Sequence, residues 1–320
     1  MKKFLKLPFA DIIFALISFS AAFTVLTLIF STILVLYNES SLAIHKFGIL
    51  NFLFTVDWDP VQEIFGAASS LYGTFVTTVL SLLIAIPISI GIAIFLSEIS
   101  PHIMKTPVGI AIEMLAAIPS IIYGMWGLFT LAPIMANYIE PALQKVFGDI
   151  PVIGKLFEGT PMGIDLFTAS IILSIMITPF IASVSRDSFN LTPNVVKESA
   201  YALGATHWEV IRDIVIPYAK LGVYGGIVLA LGRALGETMA VAFVLGNNHQ
   251  ITPSLFEAAA TITVTLANEF TEADTDIYLS SLFYLALILF VLSFVILAAA
   301  KFFLLKAEKG YSRWFITLML

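Results

Sequence analysis

The chain has 320 residues, 59% of them hydrophobic and 12% charged, with a net charge of −6 at pH 7 and no cysteine. Water-soluble domains carry roughly 25% charged residues, so an ordinary globular chain is excluded and an integral membrane protein is indicated. The absence of cysteine excludes a disulfide framework, a thiol nucleophile and a cysteine-based metal site.

Six apolar runs are long enough to cross a bilayer, where each backbone polar group must find its partner within the segment. They lie at 12–36, 73–96, 108–133, 166–184, 221–245 and 282–304. The first follows Lys2, Lys3 and Lys6. It exceeds the roughly 7–15 apolar residues of a signal peptide, so it is read as an uncleaved first helix, making residues 1–72 a helix plus an outer loop containing "VDWDP".

The third run carries Glu113 about five residues from its start, where a snorkelling or helix-end role stands beside a place on a substrate pathway. Pro119 follows and is expected to kink that helix. The next outer loop, 134–165, includes "FGDIPVIGKLFEGTP", and Asp165 is expected to cap the fourth helix.

The loop at 185–220 is polar and folded in pattern. Thr192-Pro193 predicts the start of a short helix, with Thr192 as its cap. Gly204 ends it with a left-handed residue. Thr206-x-x-Glu209 has the capping-box spacing for a second helix, expected to stop at Pro217.

The fifth run carries Arg233, about 20 Å along a helix from Lys220 and so near mid-bilayer, where an arginine costs about 2.5–3.5 kcal/mol on insertion scales. Glu237, four residues on, is expected on the same face with Gly222, Gly226 and Ala230, while Gly232 and Gly236 have the spacing for close helix packing. Two roles follow for the pair: an anion pathway, with Thr238 adding a hydroxyl, or a self-neutralising clamp between helices. The last outer loop, 247–281, holds Glu257, Glu269, Glu272, Asp274 and Asp276 and no Lys or Arg. It reads as a solvated acidic face. A tail at 306–320 follows the sixth run.

Lys and Arg fall unevenly between the loops. One side has Lys2, Lys3, Lys6, Lys105, Arg186, Lys197, Arg212, Lys220, Lys301, Lys306, Lys309 and Arg313; the other has Lys46, Lys145 and Lys155. The richer side is the cytoplasmic one, which places both termini and the 185–220 loop inside. The acidic outer loops would not concentrate an anion, so delivery by a soluble binding protein is plausible.

A family resemblance rests on the 185–220 loop. Glu198-Ser199-Ala200, then Gly204, then Ile214-Val215-Ile216-Pro217 resembles the "EAA, G, I-x-L-P" loop of ABC importer permeases, with Ser and Ile as mild departures. "AIEMLAAIPSIIYGMWGLF" and "ALGRALGETMAV" are similar to the phosphate-importing members of that family, over about residues 73–305. The resemblance implies an all-α, six-helix, type I (MetI-like) permease domain that needs no cofactor and moves inorganic phosphate across a bacterial or archaeal cytoplasmic membrane. It further implies a second permease subunit in pseudo-twofold relation, a cytoplasmic ATPase dimer gripping the loop, an extracytoplasmic phosphate-binding protein, surrounding lipid, and no nucleic acid. A permease for another oxyanion and an ion-coupled secondary transporter are the alternatives.

No G-x-x-x-x-G-K-[ST] occurs, the four histidines lack metal-ligand spacing, and no nucleophile stands with a base. Catalysis within the chain is not expected.

Overall fold

The computed structural model describes residues 9–319, with side chains described from 11 to 306 except His102. Of the cations used for orientation, Lys2, Lys3 and Lys6 lie outside the described residues, and Lys309 and Arg313 outside the described side chains. The described chain is almost wholly helical, and six helices are long and apolar enough to cross a membrane.

Helix α1 (Phe9–Glu39) is exposed along nearly its whole length and packs along the last helix. Its Thr24, Thr27 and Thr32 hydroxyls return to carbonyls four residues back, which satisfies them in apolar surroundings. The outer segment that follows is no plain loop. It folds into α2 (Ser41–Phe47) and α3 (Ile49–Phe54), which bury Phe52 and Trp58 against Phe65, Tyr278 and Tyr284.

The second span, Ala68–Ile99, is α4 (Ala68–Ile94) closed by a π turn at Phe95–Ile99. Then the expectation of one helix over 108–133 fails. α5 (His102–Ala116) ends before Pro119, whose ψ of 137° is extended, and a new helix begins at Ser120. Proline gives no N–H and disfavours helix in the residue before it, so here it breaks the helix where only a kink was expected.

The third span is therefore Ser120–Phe147. It comprises α6 (Ser120–Trp126), α7 (Ala132–Ile134) and α8 (Glu140–Phe147), joined by π turns at Gly127–Leu131 and Met135–Ile139.

Helix α9 (Leu166–Asn190) is the hub, buried on most sides between α4 and the fifth span. Leu173, Met176, Ile177 and Ile181 of α9 pack with Ala85, Ala230, Ala234, Val241 and Val244 in the main core. Asp165 caps it as expected, its Oδ1 accepting from the Thr168 N–H at 2.8 Å.

The polar loop is a helical hairpin. α10 (Asn194–Ala202) ends at Gly204, which has φ +89°, and Thr206 and Glu209 form both bonds of a capping box at α11 (His207–Val210). Two details differ from expectation. Pro193 is the cap position of α10 and Thr192 Oγ1 is buried without a partner. Nor does the second arm stop at Pro217: a π turn at Ile211–Val215 leads directly into α12 (Ile216–Leu235), giving one span, His207–Leu235. Proline is tolerated in the first turn of α12, just after the widened backbone, because the N–H it lacks is not needed there.

The fifth span also ends early, at Leu235 where 245 was expected. The chain then breaks into α13 (Met239–Ala242), an irregular stretch, and α14 (Ile262–Glu269) before α15 (Asp276–Met319). α15 continues as helix to Met319, over most of the stretch expected as a tail.

Candidate functional site

Arg233 stands in the last turn of α12, and its guanidinium carbon lies 4.6 Å from the centroid of Phe180 on α9. This is cation–π distance. Its Nε is buried with no hydrogen-bond partner, and among the described residues Arg233 forms no ion pair. Tyr123 of α6 is within its electrostatic reach, with its hydroxyl donating to the Leu115 carbonyl at 2.9 Å across the α5–α6 break. An arginine at the end of the fifth span is thus held by an aromatic face, a partner that orients a cation without neutralising it.

Glu237 corrects the sequence expectation. Because α12 stops at Leu235 with Gly236 as its C-terminal cap, Glu237 is on no common helix face with Arg233 and does not pair with it. Its Oε1 accepts from Ala240 N–H at 3.2 Å, satisfying the start of α13, and its carbonyl accepts from Thr263 Oγ1 at 2.7 Å. The carboxylate prefers an orphaned helix N–H to a helical position beyond a glycine. Thr238 is half-buried and its hydroxyl donates to the Gly236 carbonyl at 3.4 Å.

Glu113 belongs elsewhere. Its Oε1 accepts from Arg186 Nη2 at 2.9 Å, and Arg186 also pairs with Asp187. Glu113 and Arg186 line, with Lys105, Thr106 and Asn190, a polar cleft of about 280 Å³. The structure does not bring Glu113 together with Arg233.

The glycines divide. A side chain at Gly222 would collide with the Ser188 hydroxyl, and one at Gly226 would meet Val184 Cβ at 3.1 Å, so both allow α12 to lie close on α9. Gly232 and Gly236 make no such close approach within this chain; a Cβ at Gly232 would sit 3.4 Å from Leu297, an ordinary contact.

In the hairpin, Glu198 and Ser199 are exposed while Ala200, Ile214 and Ile216 pack with Val210, Val215 and Phe189. Pro217 is half-buried. Lys197 Nζ reaches Glu98 Oε1 at 2.6 Å and ties the first arm to the π turn that closes the second span. Sequence reasoning missed the hairpin's apolar crest: Val195 is 73% exposed, Leu203 90% and Trp208 58%. Large apolar residues flanking a glycine turn in an otherwise polar loop were the available signal.

At the opposite end, Glu269 also departs from expectation. It is 8% exposed, and its carboxylate accepts from Trp58 Nε1 at 2.6 Å and Tyr278 Oη at 2.8 Å, with His249 Nε2 at 3.2 Å. Burial pushes this carboxyl up, but the bonds from His249, Tyr278 and Trp58 outweigh it and hold the group below the ordinary range. Glu272, Asp274 and Asp276 are exposed, as a solvated acidic face requires, and Glu257 is half-buried.

Residues 64–307 match the family described as "Binding-protein-dependent transport system inner membrane component". A "Phosphate transport system permease protein PstC" of Mesorhizobium japonicum is 51% identical over 93% of this chain and 91% of its own length. The protein of that name from Pasteurella multocida is 53% identical, covering 82% of each chain. A "Probable phosphate transport system permease protein PstC" of Methanocaldococcus jannaschii is 38% identical over 88% of this chain and 90% of its own length.

Among solved structures, a chain of the bacterial alginate ABC transporter superposes with a TM-score of 0.59 at 16% identity, covering 91% of this chain and 94% of the other. A chain of the MetNI methionine ABC transporter gives 0.57 at 16% identity, over 78% of this chain and 98% of the other. At such identity the fold alone is shared.

Proposed function

The chain belongs to the family of binding-protein-dependent transport system inner membrane components, and from this we infer that it is a membrane permease subunit of an ATP-driven importer of inorganic phosphate. It is a transport subunit, and ATP hydrolysis falls to a separate protein. Membership implies assembly with a further permease, an ATPase and a binding protein. The finer assignment is a PstA-like second permease, a PstB-like ATPase dimer and a PstS-like phosphate-binding protein. The distribution of Lys and Arg supports both termini, and the hairpin at 194–217, facing the cytoplasm.

The observation that carries the pathway is Arg233: a guanidinium with no carboxylate partner among the described residues, stacked on Phe180 at 4.6 Å where the fifth span ends. A phosphate oxygen pair fits the parallel N–H donors of an arginine fork. Cation–π attraction of about 0.5–2 kcal/mol keeps the fork oriented without supplying a competing anion. Release must also be possible, since an ion held too firmly is not transported. Glu237, anchored nearby in sequence to the start of α13, opposes tight anion capture by its charge, and Thr238 offers a hydroxyl. Glu113 is left as a helix-end residue paired to Arg186.

Work enters at the hairpin. Its second arm is continuous with α12, so a displacement of Thr206 or Glu209 is passed along one rod, His207–Leu235, to Arg233. A loop ending at Pro217 would have lacked that rigidity. The exposed Leu203 and Trp208 provide apolar surface for an ATPase groove.

The test is phosphate uptake by the reconstituted complex in liposomes. Arg233→Gln is expected to cut uptake at least about tenfold, the loss of roughly 1.4 kcal/mol or more, while complex assembly is unchanged. Uptake at the wild-type rate in Arg233→Gln, or in the double variant Arg233→Gln/Glu237→Gln, overturns the pathway. Uptake driven by an ion gradient without ATP would instead mark a secondary transporter.

A further inference from the structure

Two carboxyl side chains meet away from Arg233, where the third span ends and the fourth begins. Glu140 opens α8 and Asp165 caps α9, and both are 0% exposed. Each has one oxygen accounted for: Asp165 Oδ1 accepts from Thr168 N–H at 2.8 Å, and Glu140 Oε2 from Gly163 N–H at 3.4 Å. The other two, Glu140 Oε1 and Asp165 Oδ2, are buried and, as carboxylate oxygens, have no donor. The two carboxyls are nevertheless within hydrogen-bonding reach of one another. Beside them the Thr168 hydroxyl is also buried without a partner.

Among the described residues neither carboxyl has a cationic partner. The titratable groups on the surrounding elements are Tyr138 and Lys145 on the third span, Asp149 after it, Lys155 and Glu158 at the 3-10 turn Gly154–Phe157, and Glu257 in the irregular segment between α13 and α14. All except the half-buried Glu257 are exposed. Two ionised carboxylates in contact, dry and without a counter-charge, repel strongly in a low-dielectric setting.

We propose that Glu140 and Asp165 together bind one proton, forming a proton-held latch that fastens the end of the third span to the start of the fourth. One proton turns two facing acceptors into a donor and an acceptor. That bond does not exist when both groups are charged. The latch also holds the Gly163 segment, which is already pressed onto α7: a side chain at Gly163, φ +71°, would collide with the Ala132 carbonyl. Loss of the proton places two like charges between these elements and loosens them. On the topology proposed above the pair sits at the outer mouth of the permease, so external pH acts on that mouth.

The proposal rests on the transport reading only for that last consequence, and its test does not use transport. Infrared difference spectra of the purified protein should show a protonated carboxyl band persisting well above the ordinary carboxyl range of about 4. That band should be lost in Glu140→Gln and in Asp165→Asn. Thermal stability of the wild type should fall by a few degrees as pH rises above the ordinary carboxyl range of about 4 and level off once the shared proton is lost. Glu140→Gln, which carries a permanent donor, should be at least as stable at the upper pH and lose the dependence. Absence of the band, or a Glu140→Gln profile that follows the wild type, overturns the latch. So does stabilisation of the wild type, and not of Glu140→Gln, by millimolar sodium or calcium at fixed pH, since the site would then hold a metal cation. Failure of phosphate uptake with the band intact would count against the permease reading alone.

Discussion

At the scale of single residues the chain uses buried charge in two ways. Arg233 lies on an aromatic face and forms no ion pair among the described residues. Phe180→Leu should therefore raise the phosphate concentration for half-maximal uptake several-fold with little change in assembly, and Phe180→Tyr should restore it; the liposome assay separates the two. Glu269, by contrast, is kept charged by three donors. Its depressed pKa means that it stabilises the folded state above its unfolded value and that this stability is lost as pH falls through the lower folded value. Glu269→Gln should cost about 1.5–3 kcal/mol at neutral pH, as for other bonds to a charged group. It should also flatten the acid limb of a thermal unfolding series run downward from pH 7. An unchanged acid limb would show that the carboxylate is not the group responsible.

At the scale of elements, the hairpin depends on one backbone conformation and one cap. Gly204 has φ +89° and open space around it, so a side chain there meets no neighbour and acts through the backbone alone. Gly204→Val is expected to destabilise the turn by about 1–2 kcal/mol and to lower phosphate-stimulated ATPase activity while the permease still inserts. Gly204→Asn, which visits the left-handed region more easily, should retain most of it. Normal stimulation in Gly204→Val would remove the hairpin from the coupling scheme. Thr206→Ala removes half of the capping box and should cost about 1 kcal/mol of local stability. Faster amide hydrogen exchange over 207–211 is the measurement that checks it.

At the scale of the whole molecule, the distribution of Lys and Arg supports the proposal that both termini and Glu198 lie on the cytoplasmic side. A single cysteine placed at position 198 should react with an impermeant thiol reagent only after the membrane is breached, because the chain has no cysteine of its own. Labelling in intact cells would reverse the orientation.

What the sequence determined by itself is what depends on neighbours along the chain. Apolar runs marked the spans because a bilayer satisfies no backbone group. Gly204, the Thr206 box and the Asp165 cap were legible because capping is settled within four residues. What only the tertiary structure decided depends on which elements meet. Arg233 and Glu237 looked paired at helical spacing, yet the helix ends between them once Glu237 finds the Ala240 N–H and its carbonyl finds Thr263. Glu269 looked solvated until Trp58, 211 positions away, closed over it. Phe180 under Arg233, and Glu140 against Asp165, join residues from different spans. Local hydrogen bonding writes itself into sequence spacing; desolvation and long-range pairing do not, because their energies are set by whatever the packed neighbours exclude or supply.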